Sequence, residues 1–199
     1  MKPVLFALCL VPLALVIWNL LAGNYSEPIE EMEKGTGTWA LRLVAVTLAV
    51  TPARHLLGWN WLVKYRRMLG LFAFFYATVH LSIYAVLDME LDLADLVEDV
   101  VEHPYVTVGF ASWLLLVPLA VTSTKGWIRR LGGRRWNRLH QLTYAVAVGG
   151  TVHYLWAVKK DTLWPLTYAA VFAALLGWRL WRRYGARRGV GERAERASA

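Results

Sequence analysis

Three of the five histidines lie in apolar stretches of the sequence, where an ionisable side chain is uncommon. His80 lies in FFYATVHLSIYAV, and His140 and His153 lie thirteen residues apart in RLHQLTYAVAVGGTVHYLW. A neutral imidazole is a common metal ligand, and two imidazoles on opposite sides of one iron provide the axial ligation of a b-type haem. The chemistry open to these histidines depends on whether the elements that position them lie in water or in lipid.

The composition indicates a membrane protein. Of the 199 residues, 57% are hydrophobic and eleven are tryptophan, which is more apolar surface than one soluble core of this size normally hides. The single cysteine, Cys9, has no second cysteine to pair with. Disulfides, cysteine-based zinc sites and cysteine-held iron–sulfur clusters are therefore excluded, and any metal must rely on histidine, carboxylates or a cofactor.

The sequence predicts an all-α bundle of six transmembrane helices, because six apolar runs approach the roughly 20 residues needed to cross a bilayer. The runs cover residues 3–22, 38–57, 67–87, 106–124, 138–158 and 163–182. The first could instead be a cleaved signal peptide, although it is longer than a usual apolar region of that kind. The second is the least secure, since it contains Arg42 and is interrupted by Pro52.

The charges predict the orientation. Eighteen of the 22 basic residues fall on one side of the predicted bundle and twelve of the 14 acidic residues on the other. By the positive-inside rule, both termini are cytoplasmic and the acidic loops face outward. The net charge of +8 is thus explained by topology, and nucleic-acid binding is not indicated. We expect one membrane domain over 1–183, without an internal repeat, and a polar, disordered cytoplasmic tail over 184–199.

The predicted helices place His80 and His153 at similar depth in the outer half of the membrane, which favours a shared haem iron. Each could instead be an interhelical hydrogen-bonding residue. His140 is expected about one turn inside the cytoplasmic end of the fifth span, as a ligand or as an interfacial residue. Gly149 and Gly150 could give clearance for a flat macrocycle, or could simply form a helix-packing surface.

Several stretches resemble one known family. RRMLGLFAFFYATVHLSIYA, HPYVTVGFASW, TSTKGWIRRLGGRRWNRLHQLTY and VHYLWAVKKD are similar to the haem-binding membrane subunits of bacterial periplasmic methionine-sulfoxide reductase systems, the MsrQ type. This type belongs to the wider ferric-reductase-like transmembrane superfamily. The resemblance covers nearly all of residues 36–183.

The resemblance implies that His80, His140 and His153 are haem-associated and that haem b and FMN are cofactors. It also implies a location in the bacterial inner membrane. Electrons would pass from the quinone pool, or from a reduced flavin, to a periplasmic molybdopterin enzyme that repairs oxidised methionine in envelope proteins. Superfamily members with two stacked haems carry two histidines on each of two helices, whereas here the position that matches His140 is basic. His140 is therefore an alternative ligand or part of a flavin or quinone site.

Three arginines are candidates for binding haem propionates or a flavin phosphate, because guanidinium groups suit both anions. They are Arg42, Arg66 and Arg67, and the last two could equally be interfacial residues that define topology. The acidic stretch 88–102 could bind the partner or could be an ordinary solvated loop. No glycine-rich nucleotide loop is present, so direct oxidation of a nicotinamide is not expected.

Two other classes stay open at this point. An intramembrane serine protease could use Ser112 as its nucleophile, although the Gly-x-Ser-Gly signature is absent. A metal-ion transporter could also place histidines in a bundle, but it would usually add buried carboxylates.

Overall fold

The computed structural model describes residues 2–158 and 160–198, with side chains as far as Arg183. Within these residues the chain is all-helical, as the sequence predicts, and contains no strand. The α-helices are α1 (Lys2–Leu21), α2 (Pro28–Leu57), α3 (Arg66–Ile83), α4 (Leu93–Glu102), α5 (Pro104–Val121), α6 (Lys125–Leu139), α7 (Leu142–Ala157) and α8 (Leu163–Ser198). A 3₁₀ turn (Asn60–Lys64) precedes α3, and a π-helical turn (Tyr84–Asp88) follows it.

Five helices in the described residues are long and apolar enough to cross a membrane: α1, α2, α3 with its π-helical turn, α5 and α8. The chain is therefore a multi-pass membrane protein. Helix α7 has only 16 residues, because His140 and Gln141 form a turn before it where the sequence predicts a span from 138. The sixth span and the cytoplasmic position of both termini stay predictions.

Two segments that the sequence analysis treats as loops are helical. Helix α4 begins where the Asp92 carboxylate accepts hydrogen bonds from the amides of Ala94 and Asp95. Helix α6 begins where the Thr124 hydroxyl accepts one from the Trp127 amide. Neither helix is marked by an apolar run, because the formation of both depends on caps and amphipathic surfaces rather than on continuous hydrophobicity.

Helix boundaries also differ from the predicted spans. Helix α2 begins at Pro28, whose fixed backbone angle suits a first helical residue. Glu30 and Glu31 in its first turn stabilise the positive end of the helix dipole. Helix α8 spans Leu163–Ser198, and the disordered cytoplasmic tail over 184–199 stays a prediction. Ala199 lies outside the described residues.

Two helix pairs form the framework of the bundle. Helix α2 packs against α3, α5 packs against α7, and α3 and α5 join the pairs. Contacts such as His80 with Glu33 and His140 with Thr122 show that the helices in each pair run antiparallel. Below, the acidic end of the bundle is the end that holds Glu33 and α4, and the basic end is the one that holds α6.

Prolines interrupt the backbone hydrogen bonding of α1 and α2. Side chains from neighbouring helices form hydrogen bonds with backbone groups near these prolines. The fully buried Tyr76 hydroxyl donates to the Cys9 carbonyl at 2.7 Å and accepts from the Leu13 amide at 3.0 Å, beside Pro12 in α1. Pro52 has no N–H to bond the carbonyl four residues earlier, that of Leu48. This carbonyl instead accepts from Arg179 Nη2 at 2.6 Å, so α2 continues through Pro52 where the sequence predicts an interruption.

Candidate functional site

His80 lies in the last turn of α3, and its side chain packs against α2. Its Nδ1 lies 3.0 Å from the carbonyl oxygen of Glu33. Since a carbonyl can only accept, Nδ1 carries the hydrogen and Nε2 is the unprotonated nitrogen of the neutral ring. The ring packs on Gly37, where a Cβ atom would lie 3.2 Å from two ring atoms. Glycine thus allows this imidazole to approach the helix backbone.

His153 has the same arrangement in the other helix pair. Its Nδ1 lies 2.7 Å from the carbonyl oxygen of Tyr105, and its ring packs on Gly109 of α5. A Cβ atom at Gly109 would lie 2.6 Å from Nδ1 and 2.8 Å from Cε1, closer than real contacts allow. In both pairs the accepting carbonyl belongs to the residue four positions before the glycine, and each histidine follows Thr-Val. The two histidines are thus held in the same way in the two helix pairs.

The two imidazoles lie side by side at the acidic end of the bundle, which agrees with the matched depth that the sequence predicts. Their ring centroids are 6.0 Å apart and their planes meet at 73°. With a metal–nitrogen bond of about 2.0 Å and a ring centre about 1.1 Å further on, two imidazoles on one metal would have centroids about 6 Å apart. The spacing is what two imidazoles holding one metal ion between them would require.

The donor set fits a haem better than a bare metal ion. Among the described residues, no group of three or more histidine, cysteine, aspartate or glutamate side chains could hold a metal. Two protein nitrogens would satisfy an iron whose other ligands come from a macrocycle. The Nδ1–H to carbonyl bonds are also the usual support of metal-binding histidines, because they fix the tautomer and the ring orientation.

His140 lies apart from this pair, at the basic end, in the turn between α6 and α7. Its ring stacks on Trp136 at a centroid distance of 3.9 Å, and Nε2 lies 3.2 Å from the Thr122 hydroxyl. Because His140 precedes α7, the expectation that it lies about one turn inside the span is wrong. It lines a cavity of about 410 Å³ together with Arg66, Arg67 and Tyr144.

The structure places Gly149 and Gly150 against neighbouring helices. A Cβ atom at Gly149 would collide with the Ser112 hydroxyl of α5, and one at Gly150 would lie 3.1 Å from Leu41 of α2. These contacts favour the helix-packing interpretation. The two glycines that lie beside the imidazoles, Gly37 and Gly109, were not identified from the sequence.

Comparisons with known proteins identify the family. The family model described as the ferric reductase like transmembrane component matches residues 36–151, a range that contains His80 and His140. A protein named protein-methionine-sulfoxide reductase heme-binding subunit MsrQ, from Xanthomonas campestris pv. campestris (strain 8004), is 48% identical over 194 residues, which cover 94% of this chain and 88% of the relative. The chain belongs to the MsrQ group of ferric-reductase-like transmembrane proteins.

Further relatives with the same name support the assignment to the MsrQ group. The relative from Xanthomonas axonopodis pv. citri (strain 306) is 46% identical over 200 residues, covering 97% of this chain and 91% of its own. The relative from Ralstonia nicotianae (strain ATCC BAA-1114 / GMI1000) is 49% identical over 187 residues, with coverage of 92% and 86%. No solved structure matches the chain.

Arg42, one of the three candidate arginines, lies near the middle of α2. Its Nε donates to the Tyr168 hydroxyl at 2.9 Å, and its guanidinium lies 4.7 Å from the centroid of Trp39. These contacts hold Arg42 in place but leave other guanidinium donors for an anion. Arg66 and Arg67 are instead at the basic end beside His140, so the three arginines do not form one site.

The serine-protease alternative finds no support in the local geometry. The Ser112 hydroxyl donates to the Val108 carbonyl at 2.8 Å and packs on Gly149. Within the described residues it has no imidazole partner that could act as a general base. The metal-ion transporter likewise finds no support, because the described helices contain no group of three or more histidine, cysteine, aspartate or glutamate side chains that could hold a metal.

Proposed function

We propose that this chain is the haem-binding, electron-transferring membrane subunit of a bacterial methionine-sulfoxide reductase, in the inner membrane. The observation that carries the proposal is the imidazole pair, His80 and His153, with centroids 6.0 Å apart and both Nδ1 atoms bonded to backbone carbonyls. The relatives are named as heme-binding subunits of this system, which agrees with that assignment.

His80 and His153 would hold a haem b through their Nε2 atoms. A bound haem supplies one-electron oxidation and reduction, and the protein supplies ligation, burial and nearby charge. The two carbonyl acceptors keep each imidazole in the Nδ1–H tautomer, so Nε2 is available without loss of a proton. Arg42 is the cationic side chain proposed to bind a propionate, since it lies in the same region of α2 as Gly37.

The cavity beside His140 is the proposed entry point for electrons from the quinone pool or from FMN. Its walls combine apolar side chains with the hydrogen-bond donors of Arg66, Arg67 and Gln141, a combination that suits a ring with carbonyl oxygens. The buried Thr47 hydroxyl also lines this cavity and has no hydrogen-bond partner among the described residues. His140 is then a residue of this site or the ligand of a second haem.

The acidic end is the proposed docking surface for a periplasmic molybdopterin-containing catalytic subunit. Helix α4 exposes Glu98 and Glu102 there. Asp99 joins the helix to Tyr84 and also contacts His103 Nδ1 at the C-terminus of the same helix. Exposed carboxylates on a fixed helix could steer a partner with a basic surface and set its orientation.

The proposal is tested by the absorbance spectrum of the detergent-purified protein, oxidised and dithionite-reduced, with haem quantified against protein. The wild type should show a b-type spectrum that His80→Ala and His153→Ala abolish. His103→Ala is the matched control, because this histidine lies at the same end and is half exposed. Its spectrum should equal that of the wild type.

His140→Ala separates the two roles of that residue. A haem content that falls by half indicates a second haem, whereas an unchanged content with slower reduction by quinol indicates a donor site. A wild type that stays colourless when it is produced with ample haem would refute the function proposed here.

A further inference from the structure

Helix α4, at the acidic end of the bundle, has apolar side chains that the rest of the described chain leaves exposed. Leu93, Val97 and Val101 form an apolar stripe, because residues four apart lie on one face of a helix, and they are 72%, 62% and 75% exposed. Leu96 and Val100 lie beside this stripe and are partly buried. At about 100° per residue, the five side chains form a continuous apolar arc of about 140°. Only part of that arc therefore faces the protein.

The opposite side of α4 is acidic. Asp95, Glu98 and Glu102 are exposed there, and the helix contains no lysine or arginine. The helix is thus divided into an apolar side and a charged side. Such a division is what a helix at the boundary between an apolar phase and water requires.

Contacts at both ends of α4 fix its level relative to the membrane span formed by α3 and its π-helical turn. The turn before α4 contains two left-handed residues, Glu90 and Leu91, and the Leu91 amide donates to the Ala85 carbonyl at 2.9 Å. In the last turn of α4, Asp99 accepts a hydrogen bond from the Tyr84 hydroxyl. Tyr84 and Ala85 are consecutive residues near the end of this span. The start and the last turn of α4 therefore both lie close to the end of one span, so the helix follows the surface of the bundle.

The next span, α5, gives the depth. The Thr107 hydroxyl donates to the Val100 carbonyl of α4, and Thr107 is in the first turn of α5. Helix α5 has 18 residues, so it is about 27 Å long at 1.5 Å per residue. The hydrocarbon core of a bilayer is about 30 Å thick, and the first turn of α5 therefore lies at the edge of that core. Helix α4, bonded to this turn, lies at the same edge.

Exposed apolar side chains also connect the stripe with the end of the α3 span. Val86 and Leu87 in its π-helical turn are 45% and 44% exposed, and Leu91, in the turn that leads into α4, is 61% exposed. The lipid-facing surface of the span thus continues onto α4. A protein partner would have to enter at the level of the acyl chains to cover the stripe.

We propose that α4 lies in the membrane interface, with its apolar stripe among the acyl chains of zwitterionic phospholipids and its carboxylates among headgroups and water. The lipid is zwitterionic because carboxylates repel anionic headgroups. This position turns the acidic side of α4 away from the membrane. The inference rests on the exposure of α4 and on its contacts with two membrane spans, so it does not depend on the haem or on a catalytic subunit.

The test uses the full-length protein in nanodiscs of phosphatidylcholine. Cys9 is the only cysteine, so a Cys9→Ala background accepts single nitroxide labels at Val97→Cys on the stripe and at Asp95→Cys on the acidic side. Leu114→Cys, at a 49% exposed position within α5, is the reference for a lipid-facing label. Collision rates of each label are measured with oxygen, which concentrates in lipid, and with a water-soluble nickel chelate.

The ratio of oxygen to nickel collisions should be several-fold higher at Val97 than at Asp95 and should approach the ratio at Leu114. Equal ratios at Val97 and Asp95 would place the stripe in water and overturn the inference. A label at Val97 that is shielded from both reagents would also overturn it, because a protein surface, such as a second copy of this chain, would then cover the stripe.

A second measurement needs no label. Hydrogen exchange of the α4 amides in the same nanodiscs is compared for Val97→Gln and Asp95→Gln, which introduce the same side chain on opposite sides of the helix. Val97→Gln should speed exchange about tenfold, the loss expected for one apolar side chain removed from a lipid contact, and Asp95→Gln should exchange like the wild type. Equal exchange in both variants would count against the inference, and unchanged exchange in α2 and α3 shows that the bundle stays folded.

Discussion

Gly109→Ala is the most informative single substitution for the imidazole pair. The added Cβ would lie 2.6 Å from His153 Nδ1, whereas ordinary van der Waals contact begins at 3.4 Å. The ring must therefore move by about 0.8 Å or tilt away, and its 2.7 Å hydrogen bond to the Tyr105 carbonyl must break or lengthen. The substitution thus displaces a proposed ligand without altering any ligand atom.

The expected loss of haem affinity in Gly109→Ala is estimated from the cost of overpacking. Forcing one methyl group into a filled space costs about 1–3 kcal/mol, which corresponds to about 5-fold to 150-fold in an equilibrium constant. We expect Gly109→Ala to lower haem affinity by a factor in this range and to change the reduction potential of whatever haem remains. At Gly37 the added Cβ would lie 3.2 Å from the His80 ring, a shortfall of only 0.2 Å, so Gly37→Ala should have a much smaller effect.

The assay is titration of the haem-free protein with hemin, followed by a potentiometric titration of the reconstituted form. Gly177→Ala is the control, because a Cβ at that helical position would meet no atom within 4 Å. Equal haem affinity and equal potential in Gly109→Ala and the wild type would refute the reasoning. A larger effect at Gly37 than at Gly109 would also contradict it, since the distances give the opposite order.

Three further predictions concern other contacts. Tyr76→Phe removes the hydroxyl that bridges the backbone of α1 beside its proline, and we expect a loss of about 1–2 kcal/mol in stability, seen as a lower Tm in detergent with unchanged haem content. Thr122→Val removes the hydroxyl bonded to His140 and should alter quinol-dependent reduction while the b-type spectrum stays the same; a changed spectrum would contradict this separation. Asp99→Asn weakens the contacts of Asp99 with Tyr84 and His103 and should make α4 more sensitive to protease, with equal digestion rates counting against the anchoring role.

Much of the framework was predictable because it depends on hydropathy. An apolar run of about 20 residues has few alternatives to a membrane helix, and two histidines at matched positions in such runs are expected at one depth. The structure accordingly brings His80 and His153 together. The turn that contains His140 was not predictable in this way, because it depends on how α6 ends and not on hydrophobicity.

The glycines beside the imidazoles were missed for a different reason. Gly149 and Gly150 attract attention as a pair, whereas Gly37 and Gly109 are single residues whose role appears only when each is seen opposite a ring. A signal for them is nevertheless present. Thr-Val-His occurs at 78–80 and at 151–153, and Leu-Ala-Val-Thr occurs at 48–51 and at 119–122. Aligning the first pair of segments indicates two equivalent histidine-bearing helices. Aligning the second pair brings Gly37 to within one position of Gly109, which directs attention to the two glycines.

Because backbone carbonyls are the acceptors, some residues around the imidazole pair can be substituted without disturbing it. The Glu33 carboxylate and the Tyr105 hydroxyl accept neither Nδ1–H bond, because the acceptors are the backbone carbonyl oxygens. The Tyr105 ring does lie 6.2 Å from the His153 ring, and phenylalanine keeps this contact. Glu33→Gln and Tyr105→Phe should therefore keep the b-type spectrum and the haem content of the wild type. If either variant lost haem as completely as a histidine-to-alanine variant, the side chain rather than the carbonyl would be the support. The residues that cannot change are then those that set the distance between ring and backbone, so sensitivity to substitution should follow the glycines and not the acceptor residues.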